Sequence, residues 1–308
     1  MRSVIALFSG ICFLLAAQVV QAWSKPGHMV SAAIAYADLK EQHPEVLAKV
    51  IEVLKQHPQF ESKWAPKLEQ VPAEDRNLYL FMLAARWSDD VRKKYPEYDR
   101  PAWHYVNIPF RPGGTGSSIP EGESIVRAFS DNRSAVKSAA DVKDRAVALC
   151  WMFHLIGDIH QPLHTVKLVT DQFPEPEGDR GGTRFYIRVT SSGKTISLHK
   201  LWDGLIIGSD KFQAVRNETT ELQNRPGFKR EDFAEQLAVK LFNDWAVETY
   251  NVATEQAYRG GTLKGSSDKN DGVVLPSDYM DKAKAVAEKQ IVLSGYRLSD
   301  AMVEVFGQ

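Results

Sequence analysis

His154-Leu155-Ile156-Gly157-Asp158-Ile159-His160-Gln161-Pro162-Leu163-His164 closes an apolar stretch that begins at Val142. The run from Val142 to Ile159 has the length and composition of a buried helix, and Pro162 forces a break or an early end. Within it His154 and Asp158 lie four residues apart, close to one helical turn. Both side chains therefore project from one face and can grip one ion. Imidazole with carboxylate suits zinc better than calcium or magnesium, which prefer all-oxygen shells. Downstream, His199-Lys200-Leu201-Trp202-Asp203 repeats the His-x-x-x-Asp spacing. Two such clamps with a further histidine at His164 point to more than one metal, and to a metal-activated water as the attacking group.

Outward from this stretch the chain reads as mainly α. Helices are predicted over Val30 to Leu54, closed by His57-Pro58, over Pro72 to Val91, and from about Gly122 to Ala139. They resume at Glu231 to Thr254 and Ser277 to Val305. The β signal is a small hairpin, Arg184 to Val189, a Ser191-Ser192-Gly193 turn, then Thr195 to Leu198. Gly113 to Ser118 and Gly260 to Asp271 read as surface loops, not domain linkers. One helical domain with a hairpin insertion is expected, spanning 23–308.

The first 22 residues read as a signal peptide. Arg2 precedes an apolar run from Val4 to Val20, and Val20-Gln21-Ala22 resembles a small-residue cleavage site. Cleavage would leave Trp23 as the mature N-terminus of a secreted or periplasmic protein with no stable membrane anchor. A transmembrane anchor is the alternative, but Ser9, Gly10 and Gln18 interrupt the run. The cysteines are Cys12, inside this segment, and Cys150, set between Leu149 and Trp151 as a core residue would be. No internal disulfide is then available. With 44% hydrophobic residues and a net charge of −1, the chain lacks the basic footprint of a protein that holds duplex DNA by phosphate neutralisation alone. Nucleic-acid substrates remain open, since bound metals can supply positive charge. A monomer is expected.

Of eight histidines, His43 and His57 sit beside prolines at polar helix ends and look incidental. The other six fall near aspartates, tryptophans or each other. A hydrogen-bonded structural pair is the plain alternative for His154 and Asp158. Burying Asp158 among Leu149, Trp151, Met152, Phe153 and Ile156 nevertheless demands a strong partner, which a divalent ion provides. For His199 and Asp203 the alternative is a strand end followed by a capped helix. His160 reads as an outer or solvent-facing residue rather than a ligand. Read locally, Asp89 in Trp87-Ser88-Asp89-Asp90 is a solvated helix-end charge, and His28 has a role only if the amine of Trp23 helps it chelate a metal.

Taken together, Trp23 with His28, Trp87-Ser88-Asp89 with Arg92, Trp103-His104, Gly157-Asp158-x-His160-Gln161-Pro162-Leu163-His164, and Leu198-His199-x-x-Trp202-Asp203 carry a resemblance. The chain resembles the tri-zinc, single-strand-specific nucleases and 3'-nucleotidases of fungi, plants, bacteria and trypanosomatids. The likeness runs from Trp23 to Arg297-Leu298. It implies a mainly helical fold similar to zinc phospholipase C and three Zn2+. One zinc would be held by Asp89, His104, His154 and Asp158. A second would be held by Asp158, His28 and the Trp23 amine and carbonyl, and a third by His164, His199 and Asp203. Asp89 would orient the attacking water, Arg92 steady phosphoryl oxygens, Tyr105 stack a base and Asn107 contact it.

The implied activity is hydrolysis of single-stranded RNA and DNA to 5'-phosphorylated products, with action on 3'-nucleotides. Three Zn2+ against three aspartates leave about +3 with neutral histidines, enough to focus a phosphodiester at one point. Single strands fit better than duplexes because an unstacked base can reach an aromatic ring. Departures from the pattern are Asn107, where an acidic residue is frequent, Thr183, where asparagine is usual, and the missing disulfides of fungal members. The rival readings are a zinc phospholipase C and a non-catalytic zinc-binding protein.

Overall fold

The computed structural model describes residues 23–114 and 118–307. The expected signal segment and Cys12 lie outside the described residues. The helices are α1 Lys25–Gln42, α2 Pro44–Leu54, α3 Ala65–Leu68, α4 Arg76–Val91, α5 Ile125–Ser138, α6 Val142–Ile159, α7 Leu198–Asp203, α8 Phe212–Asn224, α9 Ala234–Ala238, α10 Phe242–Val252 and α11 Tyr279–Phe306. Short strands are β1 Ile108–Phe110, β2 Val166–Leu168, β3 Tyr186–Arg188, β4 Ile196–Ser197 and β5 Val273–Val274. The mainly α expectation holds. Among the described residues, no helix is long and apolar enough to cross a membrane.

Helix α6 has the bounds the sequence predicts. Asp141 caps it, its side chain accepting the Lys143 amide at 2.7 Å. Beyond Ile159 the chain turns through a short 3-10 segment, Pro162–His164, where the Gln161 side chain accepts the Leu163 amide at 2.6 Å. α6 packs on α4 and α5, while α1 packs on α4 and α11. The buried apolar residues fall into two clusters. One gathers around α2, α4, α5 and α6, the other around the small sheets, α7, α8 and α11. The 154–164 stretch runs between them, with Ile159 in the first and Leu163 in the second.

Several boundaries differ from expectation. The single helix over Val30 to Leu54 is two helices, because Pro44 cannot continue α1 and holds His43 out of helical conformation. The stretch Glu231 to Thr254 is likewise divided, α9 ending at Ala238 and α10 starting at Phe242. The hairpin forms, with Tyr186 opposite Ser197 and Ile187 opposite Ile196, and β5 adds in parallel on its other edge. Not expected were α3, α8, β5 and the parallel pair β1–β2 with Ile108 opposite Val166. That pair joins the two turns that carry His104 and His164, helped by a Val106 amide to His164 carbonyl bond of 2.8 Å. Cys150 is free and buried, as its neighbours suggested, and burial pushes its thiol well above the ordinary range.

Candidate metal centre

Six separate elements deliver the expected ligands to one buried place. His28 comes from α1 and Asp89 from the end of α4. His104 closes the 3-10 turn Pro101–His104, His154 and Asp158 come from α6, His164 from the turn after it, and His199 with Asp203 from α7. All eight are buried. Three sets bring ligand atoms within 4.8 Å of one another: His28, Asp89 and His154; His104, His154 and Asp158; His164, His199 and Asp203.

Asp158 is the hub. Its Oδ2 lies 3.0 Å from His104 Nδ1 and 3.1 Å from His154 Nε2. Its Oδ1 lies 3.2 Å from His28 Nε2 and 3.7 Å from His164 Nδ1. The two oxygens thus serve different histidines. Gly157 makes this possible, because a Cβ there would stand 2.6 Å from His28 Nδ1.

Three histidines are oriented the same way. Nδ1–H donates to a main-chain carbonyl in His154 (Ala85, 2.9 Å), His164 (His104, 2.6 Å) and His199 (Gly181, 2.6 Å). Such a bond fixes the tautomer and leaves Nε2 available as a ligand. Asp203 is held by a residue the sequence reading passed over. The Gln161 amide donates to its Oδ1 at 2.6 Å, leaving Oδ2 at 3.7 Å from His199 Nε2.

The electrostatics are those of a site made for cations. Burial works against the charge of His154, yet Asp158, Asp89 and the Ala85 carbonyl outweigh it and push the group up to about 9. Asp158 is held well below the usual carboxylate range; burial opposes this, but His154 and His164 prevail. Asp203 goes the other way, raised well above that range by burial and by the nearby Asp158 and Asp89. Buried atoms with no hydrogen bond cluster here too: both oxygens of Asp89, Oδ1 of Asp158, both ring nitrogens of His28, and Nε2 of His104 and His164. A fold does not leave so many desolvated donors and acceptors together without compensation. Imidazole and carboxylate donors in this number fit divalent zinc.

The remaining site residues lie around this cluster. Trp23 is fully buried, and the amide after it, on Ser24, donates to the Asp203 carbonyl at 2.9 Å. Arg92 is half-buried just beyond the end of α4. Tyr105 and Asn107, both half-buried, follow His104 on the extended chain leading into β1. Thr183 closes its own turn by donating to the Arg180 carbonyl at 3.0 Å. Two local readings are corrected. Asp89 is a buried group, not a solvated helix-end charge, because α4 ends facing the cluster. His160 is fully buried rather than solvent-facing, since the turn after α6 directs it beneath α11, where Arg297 donates to its Nε2 at 3.0 Å. His57 stands at a helix end as expected, but it is buried, stacked on Trp64. Gln161 was hidden in plain view within the 154–164 stretch; its partner Asp203 is 42 residues away.

Comparison with known proteins identifies the family. The S1/P1 nuclease family profile matches residues 23–307. Endonuclease 4 of Arabidopsis thaliana is 25% identical over 322 aligned positions, covering 92% of this chain and 89% of the relative. Nuclease S1 of Aspergillus oryzae is 24% identical, covering 75% and 80% respectively. Nuclease P1 of Penicillium citrinum is 26% identical, covering 74% and 81%. A family match over nearly all the described residues, with eight buried ligand-type side chains at its centre, means that this chain belongs to the S1/P1 nuclease family.

Proposed function

We propose that the protein is an exported, zinc-dependent phosphodiesterase that cuts single-stranded RNA and DNA to 5'-phosphorylated products and also removes phosphate from 3'-nucleotides. The observation that carries this reading is Asp158, whose two oxygens face different histidines at the centre of three groups fit for metal. Asp89, His104, His154 and Asp158 would hold one zinc. His28, Asp158 and the freed Trp23 amine and carbonyl would hold a second, and His164, His199 and Asp203 a third. The family match begins at residue 23, which supports removal of the first 22 residues. When bound, zinc supplies a lowered pKa for water and charge compensation at phosphoryl and departing oxygens.

The chain's own residues supply the rest. Asp89, with both oxygens free of hydrogen bonds, can accept a proton from the attacking water and hold it in line with phosphorus. Three residues on, Arg92 offers planar donors to the phosphoryl oxygens. Tyr105 can stack a base and Asn107 can both donate to and accept from its edge.

The test is the mature protein on single-stranded DNA, duplex DNA, 3'-AMP and phosphatidylcholine vesicles, with zinc counted. Turnover of single strands and 3'-AMP with about three zincs per chain is expected. Lipid turnover without nucleotide turnover would transfer the same residues to a phospholipase. Metal binding without any turnover would leave a zinc-binding protein.

A further inference from the structure

Asp179 is fully buried, and main-chain and hydroxyl donors converge on it. Its Oδ1 accepts the Leu168 amide at 2.8 Å. Its Oδ2 accepts the Gly182 amide at 3.0 Å and the Tyr258 hydroxyl at 2.5 Å. Burying a carboxylate is costly, so this one must be holding something in place. What it holds is the turn Arg180-Gly181-Gly182, where three successive residues take positive φ of 54°, 59° and 79°. Neither glycine can be replaced cheaply. A Cβ at Gly181 would stand 2.3 Å from the Leu163 carbonyl oxygen, and one at Gly182 3.1 Å from the His199 amide. A run of left-handed residues persists only where its surroundings over-determine it.

The turn delivers two carbonyls to His199. That of Gly181 accepts Nδ1–H at 2.6 Å, and that of Gly182 accepts the His199 amide at 3.2 Å. His154 and His164 are oriented by carbonyls of Ala85 and His104, which belong to helical turns. His199 alone depends on an irregular turn, and that turn depends on a buried acid. We infer that Asp179, braced by Tyr258, is a positioning residue for the third metal group: it fixes the 180–182 turn so that His199 turns Nε2 toward Asp203 and His164. This rests on the proposed role of His164, His199 and Asp203 as ligands.

The experiment is zinc titration of the stripped mature enzyme against a competing chelator, comparing wild type with Asp179→Asn, Tyr258→Phe and His199→Ala. Long-range proton–nitrogen spectra of the histidine rings are recorded on the stripped proteins. Asp179→Asn sets an amide donor against main-chain donors, while Tyr258→Phe keeps the ring and removes one hydrogen bond. Both variants are expected to weaken one zinc by about 10- to 100-fold and leave the others unchanged. They should also convert the single Nδ1–H signature of His199 to a tautomer mixture. If His199→Ala keeps the full zinc complement, the metal reading fails and takes this inference with it. If His199→Ala loses one zinc while both other variants bind like wild type, the positioning role alone is overturned. Equal weakening of every zinc overturns it as well, since that would mark a general structural part. Should Asp179→Asn fail to fold, Tyr258→Phe decides.

Discussion

His154 and His160 stand within two turns of each other at the end of α6, both fully buried, and their titration is driven in opposite directions. In each ring Nδ1–H donates to a carbonyl, that of Ala85 for His154 and of Ile156 for His160. The difference lies at Nε2. For His160 it faces Arg297, so burial and then that guanidinium hold the ring neutral, well below its ordinary value. For His154 it faces Asp158, and the ring is pushed up to about 9 despite burial. Arg297 in turn pairs through its terminal nitrogens with Glu248 at 2.6 Å and the Gln236 carbonyl at 2.7 Å and lies over the face of Trp245, and its Nε alone is left without a hydrogen bond. One region is closed electrostatically; the other gathers carboxylates and unpaired nitrogens and calls for cations. Burial alone therefore does not mark a functional histidine. What marks it is the group opposite its second nitrogen.

Asp158→Asn attacks the open region at its hub. It removes charge and one ligand oxygen from a group shared by four histidines. Activity is expected to fall by more than a hundredfold, beyond the range for outer partners, and zinc content to fall with it. Full activity in this variant would sink the bridging role. Arg297→Met attacks the closed region. It strands His160 Nε2 and the Gln236 carbonyl, costing about 3 kcal/mol in a denaturant titration. Zinc affinity of the folded protein should stay within about twofold of wild type, far below the effect of losing a ligand partner. A variant that loses zinc before it loses stability would erase the distinction between the two regions.

Gly157→Ala probes how tightly the open region is packed. The added methyl would press on His28, at a cost of about 1–3 kcal/mol, and should loosen the zinc that His28 holds. Gly204→Ala is the control: its Cβ would meet nothing closer than 3.7 Å, so a change within about 0.5 kcal/mol is expected. Equal effects of the two in paired unfolding and zinc measurements would show that the site is not tightly built.

The sequence made α6 legible because its apolar run and Pro162 stop agree. It made the two His-x-x-x-Asp clamps legible because a helical turn is a local object. His28, Asp89 and His104 were legible only through resemblance, since each meets Asp158 or His154 across tens of residues and no local pattern encodes that meeting. The pair β1–β2 was not legible. Three-residue strands joined in parallel, Ile108 to Val166, carry no periodicity. Helix α8 was missed because Arg216, Asn217, Glu218 and Glu221 dilute its apolar face, which rests on Val215, Thr219 and Leu222. Gln161 and Asp179 were invisible as anchors because their partners, Asp203 and Tyr258, are brought to them only by the finished fold.

His57 refines the rule about second nitrogens, and it does so through acid stability. Its Nδ1 accepts the Gln59 amide at 3.1 Å, so the proton sits on Nε2, which has no hydrogen bond and is packed among aromatic rings. The ring stacks on Trp64 at 4.4 Å and meets the edge of Trp87 at 4.8 Å. An unpaired nitrogen is present, but no carboxylate gathers around it, and burial drives the group down to about 3. A histidine depressed in the folded state favours folding while neutral. Its contribution is constant above about pH 6.5, where the unfolded chain is neutral as well. Below that the unfolded chain takes up a proton that the folded protein refuses until about pH 3. Stability then falls by about 1.4 kcal/mol per pH unit from this residue. His57→Phe keeps the stacking and abolishes the titration, at a neutral-pH cost of about 1 kcal/mol for the lost Gln59 bond. The wild-type and variant stability curves are expected to cross at about pH 6, with the variant the more stable at pH 5. Parallel curves through that range would mean that His57 finds a partner for its charge, and that an unpaired ring nitrogen without carboxylates is not the inert feature inferred from its surroundings.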